Sequence, residues 1–189
     1  MKKNLNNQKG FTLVEIAIVM VIIGLLIGGI LKGQEMIKNA KVKRVTKQAD
    51  EFRAAVISYQ DRYAIYPGDD NDPNTHTGAT DLTAGNANGQ VAVGEAPDLF
   101  MHLAAANLIS GSYTTAAASY PKNAFGGQAY MYYLAAQGKT CHWILFTLIP
   151  GDVGRMIDSS MDDGTYNTGS IRASVAYTND NVVTLYNEF

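Results

Sequence analysis

The chain is short of several things at once, and each shortage narrows what it can be. Cys141 is its one cysteine, so no disulfide can form within the chain. Charged residues are only 17% of the 189, and the net charge is −2. With no basic excess, nucleic acid is argued against as the main partner. No proline precedes Pro67, so nothing forbids a helix across the first third. The three histidines, His76, His102 and His142, are scattered, and none belongs to an H-E-x-x-H pattern. There is no G-x-S-x-G elbow, Walker loop or C-x-x-C pair. Cys141 and His142 are adjacent but lie in a strand pattern, where neighbours take opposite faces, so they read as structural. No enzyme is expected.

What the chain does have is one long apolar run. From Phe11 to Leu31 every residue is apolar or small except Thr12 and Glu15. As a helix this run would be roughly 32 Å long, the hydrocarbon thickness of a bilayer. A carboxylate inside such a segment costs on the order of 2.5–3.5 kcal/mol, so Glu15 requires a reason to be there. No A-x-A-like cleavage site follows the run.

The stretch Lys9-Gly10-Phe11-Thr12-Leu13-Val14-Glu15 resembles the processing site of type IV pilins and of the pseudopilins of type II secretion. The resemblance covers the leader, the cut site, the glutamate and the apolar run. It implies that a membrane prepilin peptidase cuts after Gly10 and that the new N-terminal Phe11 is N-methylated. Gly10 suits that chemistry, since a residue without a side chain lets a protease approach the backbone. The resemblance also implies that Glu15 pairs with the N-terminal ammonium of a neighbouring subunit, which offsets the burial of both charges and fixes axial register. Further implied partners are an inner-membrane assembly platform, copies of the chain itself and other pilin-like subunits. Loss of Lys2, Lys3 and Lys9 with the leader would leave 12 Lys+Arg against 17 Asp+Glu, a net charge of −5.

Lysines flank both ends of the run, so charge counting does not orient it. The resemblance implies a single-pass inner-membrane protein with its head in the periplasm, then a periplasmic pseudopilus or a cell-surface pilus. Major pilins of the best-known class close a C-terminal loop with a cysteine pair. This chain lacks one, which leans the reading towards a pseudopilin. The alternative is a signal-anchored periplasmic binding module that does not polymerise, with Glu15 at the headgroup level.

Four regions are expected: a leader over 1–10, a transmembrane and assembly helix over 11–31, its amphipathic continuation over 32–66, and a globular periplasmic head over 67–189. Val45, Ala49, Phe52, Val56, Tyr59, Tyr63 and Tyr66 form one apolar stripe, with Lys47, Asp50, Arg53 and Asp61 on the opposite face. A helix from Phe11 to about Tyr63 would be roughly 80 Å long. Gly24, Gly28, Gly29 and Gly33 have small-xxx-small spacing, and bending or close packing is expected there in a filament. Residues 67–96 read as a long polar loop, and a short helix follows Pro97 to about Ile109. Strands are expected over 129–135, 141–149, 170–177 and 182–186, with a turn at Gly138-Lys139 and a short helix from Val153 to Met161. The fold class is α+β: the long N-terminal helix packs on a small four-stranded antiparallel sheet.

Two acidic clusters remain. Asp69, Asp70 and Asp72 lie in the polar loop with Asn86 and Asn88, and Asp158, Asp162 and Asp163 precede Gly164. By analogy with pseudopilins, Asp162, Asp163 and Asn167 are candidate calcium ligands, although the spacing is not that of an EF-hand. The competing reading is that these residues cap helices and form turns. Arg172 is expected to form an ion pair with either cluster.

Overall fold

A computed structural model describes residues 10–189. The leader residues 1–9 lie outside the described residues. Helix α1 spans Leu13–Tyr63 without interruption. It is followed by α2 (Pro73–Thr77), α3 (Ala96–Ala105), β1 (Ala129–Ala136), β2 (Lys139–Pro150), α4 (Gly151–Met161), β3 (Ile171–Ala173) and β4 (Val182–Glu188). By compactness the chain divides into two units, Met1–Ala40 and Lys41–Phe189. The expected boundaries mark processing, span and head. The second part of α1 falls in the same compact unit as residues 67–189.

In the first unit α1 is solvent-exposed along nearly its whole length, from Leu13 at 91% to Ile37 at 60%. It is regular through all four glycines, and a Cβ added at any of them would meet nothing within 4 Å. Nothing inside this unit explains why those positions are glycine.

The second unit is α+β. Its sheet runs β1-β2-β4-β3, antiparallel throughout, so the last strand in sequence lies inside the sheet. The apolar stripe of α1 faces this core: Val45, Ala49, Phe52, Val56 and Tyr59 are buried, as the periodicity predicts. They meet Leu99, Phe100 and Leu103 of α3 and the inner face of the sheet, where Met131, Ile144, Phe146 and Leu185 are buried. Each such side chain contributes about 1.5–3 kcal/mol by leaving water. On the outer face Trp143 is buried with Leu145 among Tyr130, Tyr132 and Tyr186. The alternation Trp143 out, Ile144 in, Leu145 out, Phe146 in follows the strand period of two.

Helix α1 ends where the sequence expectation puts it, while α3 and the β1–β2 turn differ in detail. Ala64 takes φ 58°, its N–H bonds the Gln60 carbonyl at 2.7 Å, and Pro67 follows, so α1 stops at Tyr63. Helix α3 ends four residues before Ile109. Asn107 adopts φ 58°, its N–H bonds the Ala104 carbonyl, and the Leu108 N–H bonds the Leu103 carbonyl, both at 3.0 Å. That is a Schellman closure with asparagine at the left-handed position. The β1–β2 turn is Gln137-Gly138, one residue earlier than expected, because both adopt positive φ (48° and 83°), as a type I′ hairpin requires.

Candidate functional site

Thr12 and Glu15 build the start of α1. Thr12 is the N-cap, and Glu15 is the third helical residue. The Glu15 N–H donates to Thr12 Oγ1 at 3.2 Å, while the Thr12 N–H and hydroxyl donate to Glu15 Oε2 at 2.8 and 2.7 Å. This is a reciprocal capping box, worth about 1 kcal/mol of helix stability. Its signature T-x-x-E is present in the sequence but was hidden by the reading of Glu15 as an assembly residue alone. Both bonds fall on Oε2, and Oε1 has no partner among the described residues. One oxygen orients the carboxylate and the other remains able to accept from an incoming ammonium. Gly10 and Phe11 precede the helix and are exposed, Phe11 at 83%. The structure therefore places Gly10, Phe11 and Glu15 together at one helix start.

The polar loop 67–96 is not a solvated loop. Asp69 and Asp70 are fully buried beneath it. Asp70 Oδ2 accepts from the Tyr59 hydroxyl at 2.6 Å and lies 2.7 Å from His76 Nδ1, and its Oδ1 accepts from the Asp72 N–H at 2.9 Å. Burial alone would raise this carboxyl, but the bonds from Tyr59, His76 and the Asp72 N–H outweigh it and hold Asp70 below the usual range. Asp69 accepts from the N–H groups of Asn88 and Gly89 at 3.1 and 2.7 Å. Gly85 packs so tightly on Gly68 and Asp69 that a Cβ there would collide with their backbone. Within the loop, α2 is an added helical turn, with Pro73 in its first turn and Gly78 at φ 76° closing it.

The three histidines, scattered in sequence, all serve this loop. His76 braces Asp70. His102 Nδ1 accepts from the Gly68 N–H at 2.9 Å, so its proton is on Nε2, which is 2.9 Å from the Thr83 carbonyl. His142 Nε2 accepts from the Val91 N–H at 3.1 Å. Burial pushes the pKa of both His102 and His142 down, as acceptor histidines require. His142 packs between Tyr66, Tyr133 and Phe189. Cys141 packs with the Trp143 cluster on the other face, and burial pushes its thiol up. The pair is divided as the strand period dictates and forms no dyad.

Two basic residues depart from the sequence reading. Arg53 is not a solvated residue of the polar face. It donates to Asn187 Oδ1 at 2.9 Å and to the Glu188 carbonyl at 2.7 Å, tying β4 to α1. Arg172 donates to the carbonyls of Gly169 and Gln137 at 3.0 and 2.6 Å and lies over the Trp143 ring, not against an acidic cluster. Carbonyls closing adjacent turns reach its guanidinium first.

In the α4–β3 turn, oxygens of Asp158, Asp162 and Asp163 lie within 4.8 Å of one another. Asn167 is exposed on the same turn. Asp158 accepts from the Gly164 N–H at 3.0 Å and the Tyr177 hydroxyl at 2.7 Å. Asp162 accepts from the N–H groups of Ser170 and Ile171, and Asp163 from the Thr165 N–H and the Thr168 hydroxyl. Burial raises the Asp158 carboxyl, Tyr177 and Gly164 oppose that, and Asp163 and Asp162 raise it further. The donor set suits a hard cation, yet every carboxylate already holds the turn.

Residues 5–31 match the prokaryotic N-terminal methylation motif. No curated protein and no solved structure matches the chain. The motif sits on the one helix among the described residues that is long and apolar enough to cross a membrane. Motif, transmembrane-length helix and α+β head together support a prepilin-type chain of the type IV pilin-like family.

Proposed function

We propose that the chain is the structural subunit of a type II secretion pseudopilus or type IV pilus. In this reading a prepilin peptidase cuts after Gly10 and Phe11 is N-methylated. Residues 11–31 then hold the subunit in the inner membrane with residues 67–189 in the periplasm. Residues 32–66 link the two. The subunit leaves the bilayer through an assembly platform and polymerises with its own kind and with related subunits. The role is structural and not enzymatic. The missing cysteine pair favours a pseudopilus.

The observation that carries this reading is the helix start. Glu15 is held by Thr12 through one oxygen and offers the other, four residues from the amine that cleavage would create. An ammonium of a neighbouring copy is a fitting partner for a carboxylate in an apolar surround. The test is the intact mass of the chain from native membranes and from a sheared surface fraction. A chain beginning at methylated Phe11 is expected, mainly in membranes for a pseudopilus and mainly in the sheared fraction for a pilus. A chain beginning at Met1 in cells with active peptidase would leave a membrane-anchored periplasmic module instead. Glu15→Ala is expected to abolish assembly while the chain stays in the membrane.

Calcium is the second part of the proposal. Asp158, Asp162 and Asp163 supply the charge, and Asn167, exposed in the same turn, is a further candidate oxygen ligand. A bound ion would relieve the mutual repulsion at Asp158. Calcium should raise the unfolding temperature of the chain relative to EGTA, and Asp163→Asn should remove most of that increment. Equal melting with and without calcium would leave the cluster as a turn brace.

A further inference from the structure

The second unit carries a groove of about 630 Å³ between the later part of α1 and the segment 108–121. Phe52, Leu108, Ile109 and Tyr113 form an apolar strip of its lining beside the polar Glu51 and Ser110, and Arg44 and Lys47 also border it. Arg44 has no ion-pair partner among the described residues. Lys47 meets only Glu51, at 3.4 Å with both side chains well exposed, a contact that neutralises little. Residues 41–47 hold four basic residues and no acidic one, whereas residues 52–189 hold 13 acidic against six basic. The groove thus combines an apolar strip with polar neighbours and two basic side chains, on an otherwise acidic head.

The same unit presents a feature of opposite character. Leu148 is 57% exposed and has φ 56° at the bulge between Phe146 and Ile149. A leucine in this conformation is strained, and a bulge of this kind re-aims a side chain. Two residues on, Pro150 opposes Val182, which is also 57% exposed. Asp180 is exposed two residues before Val182, with no ion-pair partner among the described residues. None of these three lines the groove.

We propose that the groove of one copy receives the Leu148–Val182–Asp180 knob of a second copy. Leu148 and Val182 meet the strip formed by Phe52, Leu108, Ile109 and Tyr113, and Asp180 faces Arg44 and Lys47. Because groove and knob are different surfaces of one chain, the contact is heterologous and repeats along a polymer instead of closing as a pair. This rests on the filament reading and names a head-to-head contact within it.

The test uses the full chain in cells with active prepilin peptidase. Arg44→Glu with Lys47→Glu should lower polymer yield at least tenfold, and adding Asp180→Lys should restore most of it. In a Cys141→Ser background, Leu108→Cys with Leu148→Cys should give a ladder of oligomers with a short bismaleimide in polymer, and none in detergent-dispersed monomer. The ladder decides the matter if the charge-reversed chain fails to fold. A parent that polymerises, with no ladder and with charge-reversed chains assembling at parent yield, would overturn the contact. Failure of the parent itself to polymerise would instead overturn the filament reading.

Discussion

Two parts of one helix answer to different surroundings. Residues 13–40 expose their apolar side chains, hold four glycines that touch nothing, and keep one carboxylate oxygen unengaged. Residues 45–59 bury a continuous stripe, and their polar residues reach specific partners: Tyr59 to Asp70, Arg53 to Glu188. The later part is explained by the fold of its own chain. The earlier part is explained by nothing in the chain, so its composition is addressed to lipid or to other subunits. A substitution should therefore move stability in one part and assembly in the other, and the experiments below can break that division.

The largest effect on stability is expected at Asp70. Asp70→Ala leaves the Tyr59 hydroxyl, His76 and the Asp72 N–H without their acceptor and should cost about 3 kcal/mol or more. Denaturant unfolding of the full chain in detergent measures it, beside Glu15→Ala, which should cost no more than the about 1 kcal/mol of its capping box. Next comes Arg53→Met, which keeps the stem but removes the bonds to Asn187 and Glu188. It should cost about 2 kcal/mol in the same measurement. A cost as large at Glu15, or none at Asp70, would erase the distinction.

A smaller effect is expected with pH, and only in the head. His102 and His142 have folded pKa values below the ordinary 6.5. As pH falls past 6.5 the unfolded chain takes up protons first, so their contribution is full above 6.5 and is lost towards the lower folded values. Asp98 and Asp158, both raised by burial, act in the opposite direction at lower pH. Melting from pH 7.5 to 5.5 in an Asp98→Asn, Asp158→Asn background should show the decline, and a flat profile would refute the neutral His102 and His142. The smallest effect belongs to the first unit. Gly28→Ala should stabilise the isolated helix by about 1 kcal/mol, seen as retained ellipticity on heating, yet should lower assembly if close approach of a neighbour requires glycine there.

Much of this was legible from sequence because it repeats locally. The α1 stripe follows the 3.6-residue period, the strands follow apolar and aromatic runs, and the helix start carries its own motif. What was illegible depends on partners far along the chain. Asp69 and Asp70 read as loop residues because Asp, Asn and Gly crowd around them, while their burial depends on Tyr59, 11 residues away, and on a loop pinned by His102, which bonds a residue 34 positions distant. Arg53 read as solvated because its acceptors are 134 and 135 residues on. For the turn at 158–170, sequence showed the acidic residues but not that each accepts from a backbone N–H.

The interior position of β4 bears on the order of events during synthesis. Strand β2 has β1 on one side and β4 on the other, and β3 joins the sheet only through β4. Until residues 182–188 emerge, β3 has no strand to pair with and Arg53 lacks its β4 acceptors. A chain made from its amino end exposes the apolar helix to the translocation machinery long before the head can close. In the proposed inner-membrane reading the head would cross as an open chain, and its sheet would close on the later part of α1 only once residues 182–188 have followed.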